Sequence, residues 1–129
     1  MKVYIAGPMR GLYQFNAGAF REAAKILRER GIEVVSPLEM DEEAGIYVDG
    51  LTGHETLEDQ GFDIRGTLSN DLHVVIYEVD AVVMLPGWHN SNGARAEFYT
   101  ARSVGKQTWE LFFEREETPL TISLIEGER

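Results

Sequence analysis

Residues 81–97, AVVMLPGWHNSNGARAE, decide the fold of this chain. The first five of these residues are apolar and β-branched enough to predict a buried parallel strand. Asn90, Ser91 and Asn92 follow as good N-cap residues, and the apolar spacing after them predicts a helix that ends near Gly105. A buried strand that leads through a short turn into a helix is typical of α/β proteins.

Glu97 lies on the inward face of this predicted helix, three residues after Ala94 and four before Ala101. A carboxylate is costly to bury, so this position needs an explanation. The positive end of the helix favours an ionised carboxylate, which at the edge of a sheet can serve as a nucleophile or charge stabiliser. The alternative is a glutamate at the margin of the apolar stripe, bonded to a neighbouring loop.

The composition indicates one globular domain. The chain has 129 residues, of which 43% are hydrophobic, and this is enough for a single core. It has no cysteine, which fits a reducing, cytoplasmic setting without disulfides or a thiolate zinc site. The net charge of −10 favours a surface that repels nucleic acid polymers and anionic membranes. The apolar run after Lys2 is too short for a signal or membrane segment.

The first part of the chain has a β-loop-α-β pattern, which implies a parallel sheet. Residues 3–6 predict the first strand, Asn16 to Gly31 a helix, and residues 32–35 the second strand. In the loop after the first strand, Arg10 either binds an anion or is a solvated surface side chain. There is no GxGxxG or Walker A sequence, which disfavours a dinucleotide or triphosphate cradle.

Residues 38–66 lose the periodic pattern and are rich in acidic residues and glycine. A connection of this length is predicted to be a lid or an insertion loop. His54 and Glu58 have helical spacing, but a single pair is a weak metal signal, so we expect an acidic loop without a metal. Tyr47 and Phe62 either cover a ligand or anchor the loop to the core.

Three further elements are predicted after this loop. Residues 67–78 have helical spacing and carry Asp71 in the first turn, where a surface carboxylate is the default role. Residues 107–113 predict a strand. Residues 119–127 predict a short helix that either covers a partner subunit or closes its own sheet. No domain boundary is visible, so we expect a single domain over residues 1–129.

Three blocks, residues 4–11, 71–83 and 91–106, resemble in order and spacing the nucleoside 2-deoxyribosyltransferase superfamily. That superfamily includes deoxynucleoside 5′-monophosphate N-glycosidases and many small phage-type and bacterial members. The resemblance implies a flavodoxin-like fold, a doubly wound parallel sheet of about five strands flanked by helices. It also implies a reaction that uses no metal or other cofactor.

The resemblance implies three catalytic residues, Glu97, Asp71 and Tyr4. Glu97 matches the glutamate that attacks the anomeric carbon and forms a covalent glycosyl-enzyme, which water or a second base then resolves. Asp71 matches an aspartate near the leaving base, acting as general acid or orienter, and Tyr4 matches a tyrosine that holds the nucleophile or the sugar. These roles suit an oxocarbenium-like transition state, which a carboxylate stabilises or captures.

Ser91 indicates the substrate. Nucleoside-using transferases of the superfamily have an acid six residues before the nucleophile, where it binds the free 5′-hydroxyl, whereas the nucleotide hydrolases have a serine that admits phosphate. Ser91 also suits a plain N-cap. The residues expected to bind substrate come from two loops, and they are Gly7, Met9, Arg10, Gly11, Ser91, Asn92 and Gly93.

Trp88 and His89 have no clear counterpart in the superfamily. Trp88 either stacks on a base or rims a dimer contact, and His89 is expected to be exposed. The superfamily completes its site with a residue from the C-terminal part of the neighbouring subunit. We therefore expect a homodimer or higher homo-oligomer, and Thr121 and Ser123 lie in the corresponding part of this chain.

The sequence predicts an N-glycosidase that hydrolyses a (deoxy)nucleoside 5′-monophosphate to free base and (deoxy)ribose 5-phosphate. One alternative is a nucleoside 2-deoxyribosyltransferase that exchanges bases between deoxynucleosides. Another is a catalytically silent nucleotide-binding protein. In each case the partner is a small nucleotide or nucleoside rather than a nucleic acid polymer or a membrane.

Overall fold

The computed structural model describes residues 1–113 and 121–124, and these form one sheet with helices on both faces. The strands are β1 (Lys2–Ala6), β2 (Glu33–Val35), β3 (Ala81–Met84), β4 (Gln107–Phe112) and β5 (Thr121–Leu124). The α-helices are α1 (Ala17–Glu29), α2 (Pro37–Glu43), α3 (Ile64–Tyr77) and α4 (Asn92–Ser103). None of the helices in these residues is long and apolar enough to cross a membrane.

The strand order is β2-β1-β3-β4-β5, and the first four strands are parallel. This confirms the doubly wound, flavodoxin-like sheet, but the parallel part has four strands rather than about five. β5 pairs with β4 in the antiparallel sense. The chain leaves β1 towards β2 on one side and later returns to β3 on the other, so the sheet reverses its winding between β1 and β3.

Alternating residues of the central strands fill two apolar layers. Val3, Ile5 and Val83 pack on one face with α1, whereas Tyr4 and Val82 pack on the other face with α3 and α4. All four residues of β3 are buried, as expected for a strand covered on both sides. The continuous apolar run in the sequence therefore predicts the centre of the sheet correctly.

The segment between β2 and α3 is more regular than predicted. The prediction of an unpatterned loop over residues 38–66 is wrong at α2, which begins with Pro37 at its first position. The rest of the segment packs on the core through Ile46, Val48 and Leu57. It is also bonded to the loop after β1, because the amide of Gly11 donates to the carbonyl oxygen of Gly53 at 2.9 Å.

Helix α3 begins at Ile64, three residues before the predicted start. Asp63 is its N-cap, and its carboxylate accepts a hydrogen bond from the amide of Arg65 at 3.1 Å. Asp71 therefore lies in the interior of the helix rather than in its first turn. The prediction of a helix over residues 119–127 is wrong at Thr121–Leu124, which is β5; the remainder of that range lies outside the described residues.

Candidate active site

A cavity of about 210 Å³ lies at the carboxyl ends of β1 and β3, where the winding of the sheet reverses. Ligands of open α/β sheets bind at this position. One part of its wall is apolar and is formed by Met9, Phe15, Pro37, Leu57, Phe62, Ile64 and Leu68. The other part is polar and is formed by Tyr4, Arg10, Asp41, Thr67, Asp71, Ser91 and Glu97. The residues predicted from three separate blocks of sequence, apart from Gly11 and Asn92, thus meet in one place.

Glu97 faces this cavity from the second turn of α4. Its side chain points inward because it shares the buried face of the helix with Ala94, Phe98 and Ala101. Only 6% of Glu97 is exposed, and its carboxylate accepts a hydrogen bond from the hydroxyl group of Tyr4. Burial raises the pKa of Glu97 to about 8, while the Tyr4 hydrogen bond opposes this shift and the nearby Asp71 charge adds to it.

Tyr4 is fully buried in β1, on the sheet face that packs against α3 and α4. Burial raises its pKa well above the usual value, and the charges of Glu97 and Asp71 raise it further. Its hydroxyl group therefore stays protonated and acts as a hydrogen-bond donor. Because Tyr4 sits on a rigid central strand, it fixes the position of the Glu97 carboxylate.

Asp71 reaches the same cavity from α3. It is only 9% exposed, so the alternative of a surface carboxylate is wrong. Burial raises its pKa to about 7, the charge of Asp41 raises it further, and hydrogen bonding to Tyr4 lowers it in part. A carboxyl group with this pKa holds a proton for much of the time near neutral pH, as a general acid must.

Asp41 is a cavity residue that sequence reasoning missed. It lies on α2, is 8% exposed and lines the cavity beside Pro37. Burial raises its pKa to about 6, with the charge of Glu42 adding to the effect. The signal was present in the sequence, since Asp41 follows Leu38 at helical spacing after a proline that can start a helix. The acidic residues around Asp41 make this helical spacing hard to distinguish from an acidic loop.

The loop after β1 contributes Gly7, Met9 and Arg10 to the cavity wall, whereas Gly11 is not part of it. Gly7 is needed for close packing, because a Cβ atom there would lie 2.7 Å from the Cβ atom of Leu85. The Arg10 side chain is exposed at the rim, and its guanidinium makes a long contact of 3.5 Å with a backbone carbonyl of the neighbouring segment. It is thus available to a ligand at the cavity mouth.

The start of α4 forms the opposite rim. Ser91 is the N-cap, and its hydroxyl oxygen accepts a hydrogen bond from the amide of Ala94 at 3.1 Å. Ser91 and Gly93 line the cavity, but Asn92 is exposed and does not. The N-terminus of a helix offers free amide groups and a positive dipole, so this rim suits an anion.

A family model described as a domain of unknown function, DUF4406, matches residues 1–109. The chain belongs to this family. The match includes every residue of the cavity wall and ends within β4, before β5. A comparison with curated proteins finds no significant match. The DUF4406 domain of this chain therefore carries the whole candidate site.

Phe15 enters the cavity of the DUF4406 domain from an unusual turn. Gln14, Phe15 and Asn16 all have positive φ angles, of 50°, 54° and 64°. Such angles cost about 1 kcal/mol or more for residues other than glycine. The side-chain amide of Asn16 donates to the carbonyl oxygen of Pro8 at 2.9 Å and makes no capping hydrogen bond to α1. This bond ties the turn to the loop after β1.

Trp88 does not belong to the site. It is buried against Phe98, with ring centroids 4.5 Å apart, and its indole nitrogen donates to Glu110 at 2.9 Å. The predictions that Trp88 stacks on a base or rims a dimer contact are therefore wrong, because the side chain is part of the core. His89 is exposed, as expected, and stacks on the Trp88 ring at 3.9 Å.

The two aromatic residues of the segment after α2 behave differently. Phe62 is partly buried and lines the cavity, while Tyr47 is exposed and outside it.

Within residues 1–113 and 121–124, no group of three or more His, Cys, Asp or Glu side chains is arranged to hold a metal ion. Thr121 and Ser123 lie in β5, opposite Phe112 and Glu110.

Proposed function

We propose that this protein hydrolyses the N-glycosidic bond of a (deoxy)nucleoside 5′-monophosphate and releases the free base and (deoxy)ribose 5-phosphate. The observation that carries the proposal is the carboxyl group of Glu97, buried at the end of a cavity and held there by the Tyr4 hydroxyl group. A second carboxyl group, Asp71, faces the same space. Two carboxyl groups across one cavity are the usual machinery for cleaving a glycosidic bond.

In the proposed reaction, Glu97 reacts in its ionised form, which is the minor form near neutral pH because its pKa is about 8, and attacks the anomeric carbon of the sugar. The bond from that carbon to the base nitrogen breaks, its electron pair goes to the base, and Asp71 donates a proton to the leaving base. Asp71, now ionised, then takes a proton from water as the water oxygen attacks the same carbon. This step breaks the bond to Glu97 and returns both carboxyl groups to their starting state.

Two rims of the cavity support a phosphate on the substrate. Ser91 and Gly93 line the cavity at the positive end of α4, and Arg10 adds a cation to the same wall. A hydroxyl group can donate to a phosphate oxygen, whereas an acid at this position would repel it. The proposed substrate is therefore a 5′-monophosphate rather than a free nucleoside.

The first test is the rate of base release by Glu97→Gln and Glu97→Ala. Both variants should lose turnover by a factor of about 10³ or more, because a missing nucleophile has no substitute. Both should still bind the nucleotide in a calorimetric titration. Glu78→Gln, which alters an exposed glutamate at the end of α3, is the matched control and should keep full activity. Wild-type rates in both Glu97 variants would refute the proposed nucleophile.

A second test separates the phosphate role of Ser91 from its role as N-cap. Aspartate is an equally good N-cap, so Ser91→Asp should leave the melting temperature unchanged. Its negative charge should nevertheless raise the KM for monophosphates strongly. An unchanged KM for monophosphates would place the phosphate elsewhere.

An exchange assay with two free bases tests the transferase alternative, because a hydrolase forms no new nucleoside.

The resemblance also supports a homodimer whose second subunit completes the site. Light scattering on the purified protein measures its mass in solution. A dimer mass agrees with the proposal, and a monomer that is fully active would contradict it.

A further inference from the structure

Asp41 has no task in the reaction proposed above, although it is one of the most buried charged residues of the protein. Its side chain lines the cavity, yet within residues 1–113 it makes no hydrogen bond or ion pair. Its neighbours along α2 differ in this respect. Glu39 pairs with Arg28 at 2.6 Å, and Glu42 lies 3.5 Å from Arg21.

The surroundings of Asp41 provide no compensation for its charge. Much of the cavity wall that it shares is apolar, with Phe15, Leu57 and Phe62, and Arg10 is an exposed residue of that wall. A buried carboxylate without donors is costly, so a ligand that supplies donors to it gains binding energy. The unpaired Asp41 side chain is therefore suited to accept a hydrogen bond from a donor group on a bound ligand.

The position of Asp41 relative to the other acids identifies the part of the substrate that it meets. Asp41 enters the cavity wall from α2 together with Pro37, whereas Glu97 and the proposed phosphate rim enter it from α4. Glu97 is assigned to the anomeric carbon and Asp71 to the base nitrogen beside it. The phosphate and the sugar are assigned to the α4 side of the cavity, so Asp41 on the α2 side faces the edge of the base, while aromatic rings of the wall suit its flat faces.

We propose that Asp41 determines base specificity: its carboxylate accepts a hydrogen bond from an exocyclic amino group on the base. The cavity then selects bases such as cytosine or adenine over their keto counterparts, uracil and hypoxanthine. The reason is that a carboxylate only accepts hydrogen bonds, and a keto oxygen facing it also only accepts. This inference rests on the proposed nucleotide substrate and adds the class of base to it.

The test compares matched pairs that differ in one amino or keto group, dCMP with dUMP and dAMP with dIMP. Wild-type protein should release cytosine or adenine with a kcat/KM at least about tenfold above that of the keto partner. Asp41→Asn should reduce this ratio by about tenfold or more, because an amide both donates and accepts. Asp41→Ser should also lose the preference for the amino partner. Glu43→Gln, an exposed neutralisation on the same helix, should keep the ratio.

Calorimetric binding of the same four nucleotides separates this inference from the proposed reaction. If no base is released but the amino partner binds about tenfold tighter, and Asp41→Asn abolishes the difference, the reaction is refuted and the role of Asp41 stands. If base is released equally from both members of each pair, the reaction stands and the role of Asp41 is refuted. Absence of binding by all four nucleotides would overturn the role of Asp41 as well. A preference for the amino partner that survives in both folded Asp41 variants would also overturn the role of Asp41.

Discussion

Replacing Tyr4 with phenylalanine removes the hydroxyl group that donates a hydrogen bond to Glu97 inside the cavity. Hydrogen bonding to Tyr4 lowers the pKa of both Glu97 and Asp71, so both values should rise in Tyr4→Phe. A hydrogen bond to a charged group contributes about 1.5 to 3 kcal/mol, and one pH unit corresponds to about 1.4 kcal/mol. The pH profile of kcat/KM should therefore move to higher pH by roughly 1 to 2 pH units.

The assay is base release measured from pH 5 to about 10, with the wild-type protein and two further variants. The wild-type profile should be bell-shaped, with its maximum between the pKa values of about 7 for Asp71 and about 8 for Glu97. Asp71→Asn removes the proton donor and a like charge. This variant should react more slowly, and its profile should lose the falling limb and keep a single rising limb set by Glu97.

Tyr99→Phe is the matched control, because it removes the hydroxyl group of an exposed tyrosine on α4. Its profile should coincide with that of the wild type. The reasoning is refuted if Tyr4→Phe keeps the wild-type pH dependence, or if Asp71→Asn keeps the falling limb. A folded Tyr4→Phe protein with a displaced profile would establish that Tyr4 tunes the acids rather than only filling the core.

Three other predictions concern stability and the phosphate. Gly7→Ala should destabilise the protein by about 1 to 3 kcal/mol in a urea titration, since its Cβ would clash with Leu85, whereas Gly18→Ala meets open space and should be neutral or slightly stabilising. The free energy of unfolding should fall as pH rises from about 4 to 8, because the three cavity acids have raised pKa values of about 6, 7 and 8 and bind protons more tightly when folded. Glu97→Gln should flatten this decline, and an unchanged slope would contradict it. Arg10→Ala should raise the KM for monophosphates, and an unchanged KM would argue against a phosphate contact.

The sequence predicts the centre of this fold well because both of its signals are local. The apolar run of β3 is continuous, since the strand is covered on both faces. The helical spacing of α4 places Glu97 on the buried face, and the structure agrees. Ser91 was also expected to be an N-cap, and its hydroxyl group accepts the predicted type of hydrogen bond.

The parts that sequence reasoning missed depend on tertiary packing. The sequence predicts a start of α3 three residues too late, which places Asp71 in a first turn rather than on the inward face. Asp41 was lost among acidic residues because α2 is only seven residues long. Strand β5 was interpreted as a helix because its pairing with β4 is a long-range contact that local spacing does not reveal.

Liquid chromatography of free bases, after incubation of the purified protein with nucleosides and their 5′-monophosphates, tests the proposed reaction most directly. The geometry of Glu97, Asp71 and the Ser91 rim predicts base release from monophosphates and not from the matching nucleosides. Release from nucleosides alone would contradict the phosphate site. Release from neither, by protein that is folded and has the oligomeric state found in solution, would contradict the glycosidase and favour a nucleotide-binding protein without catalysis.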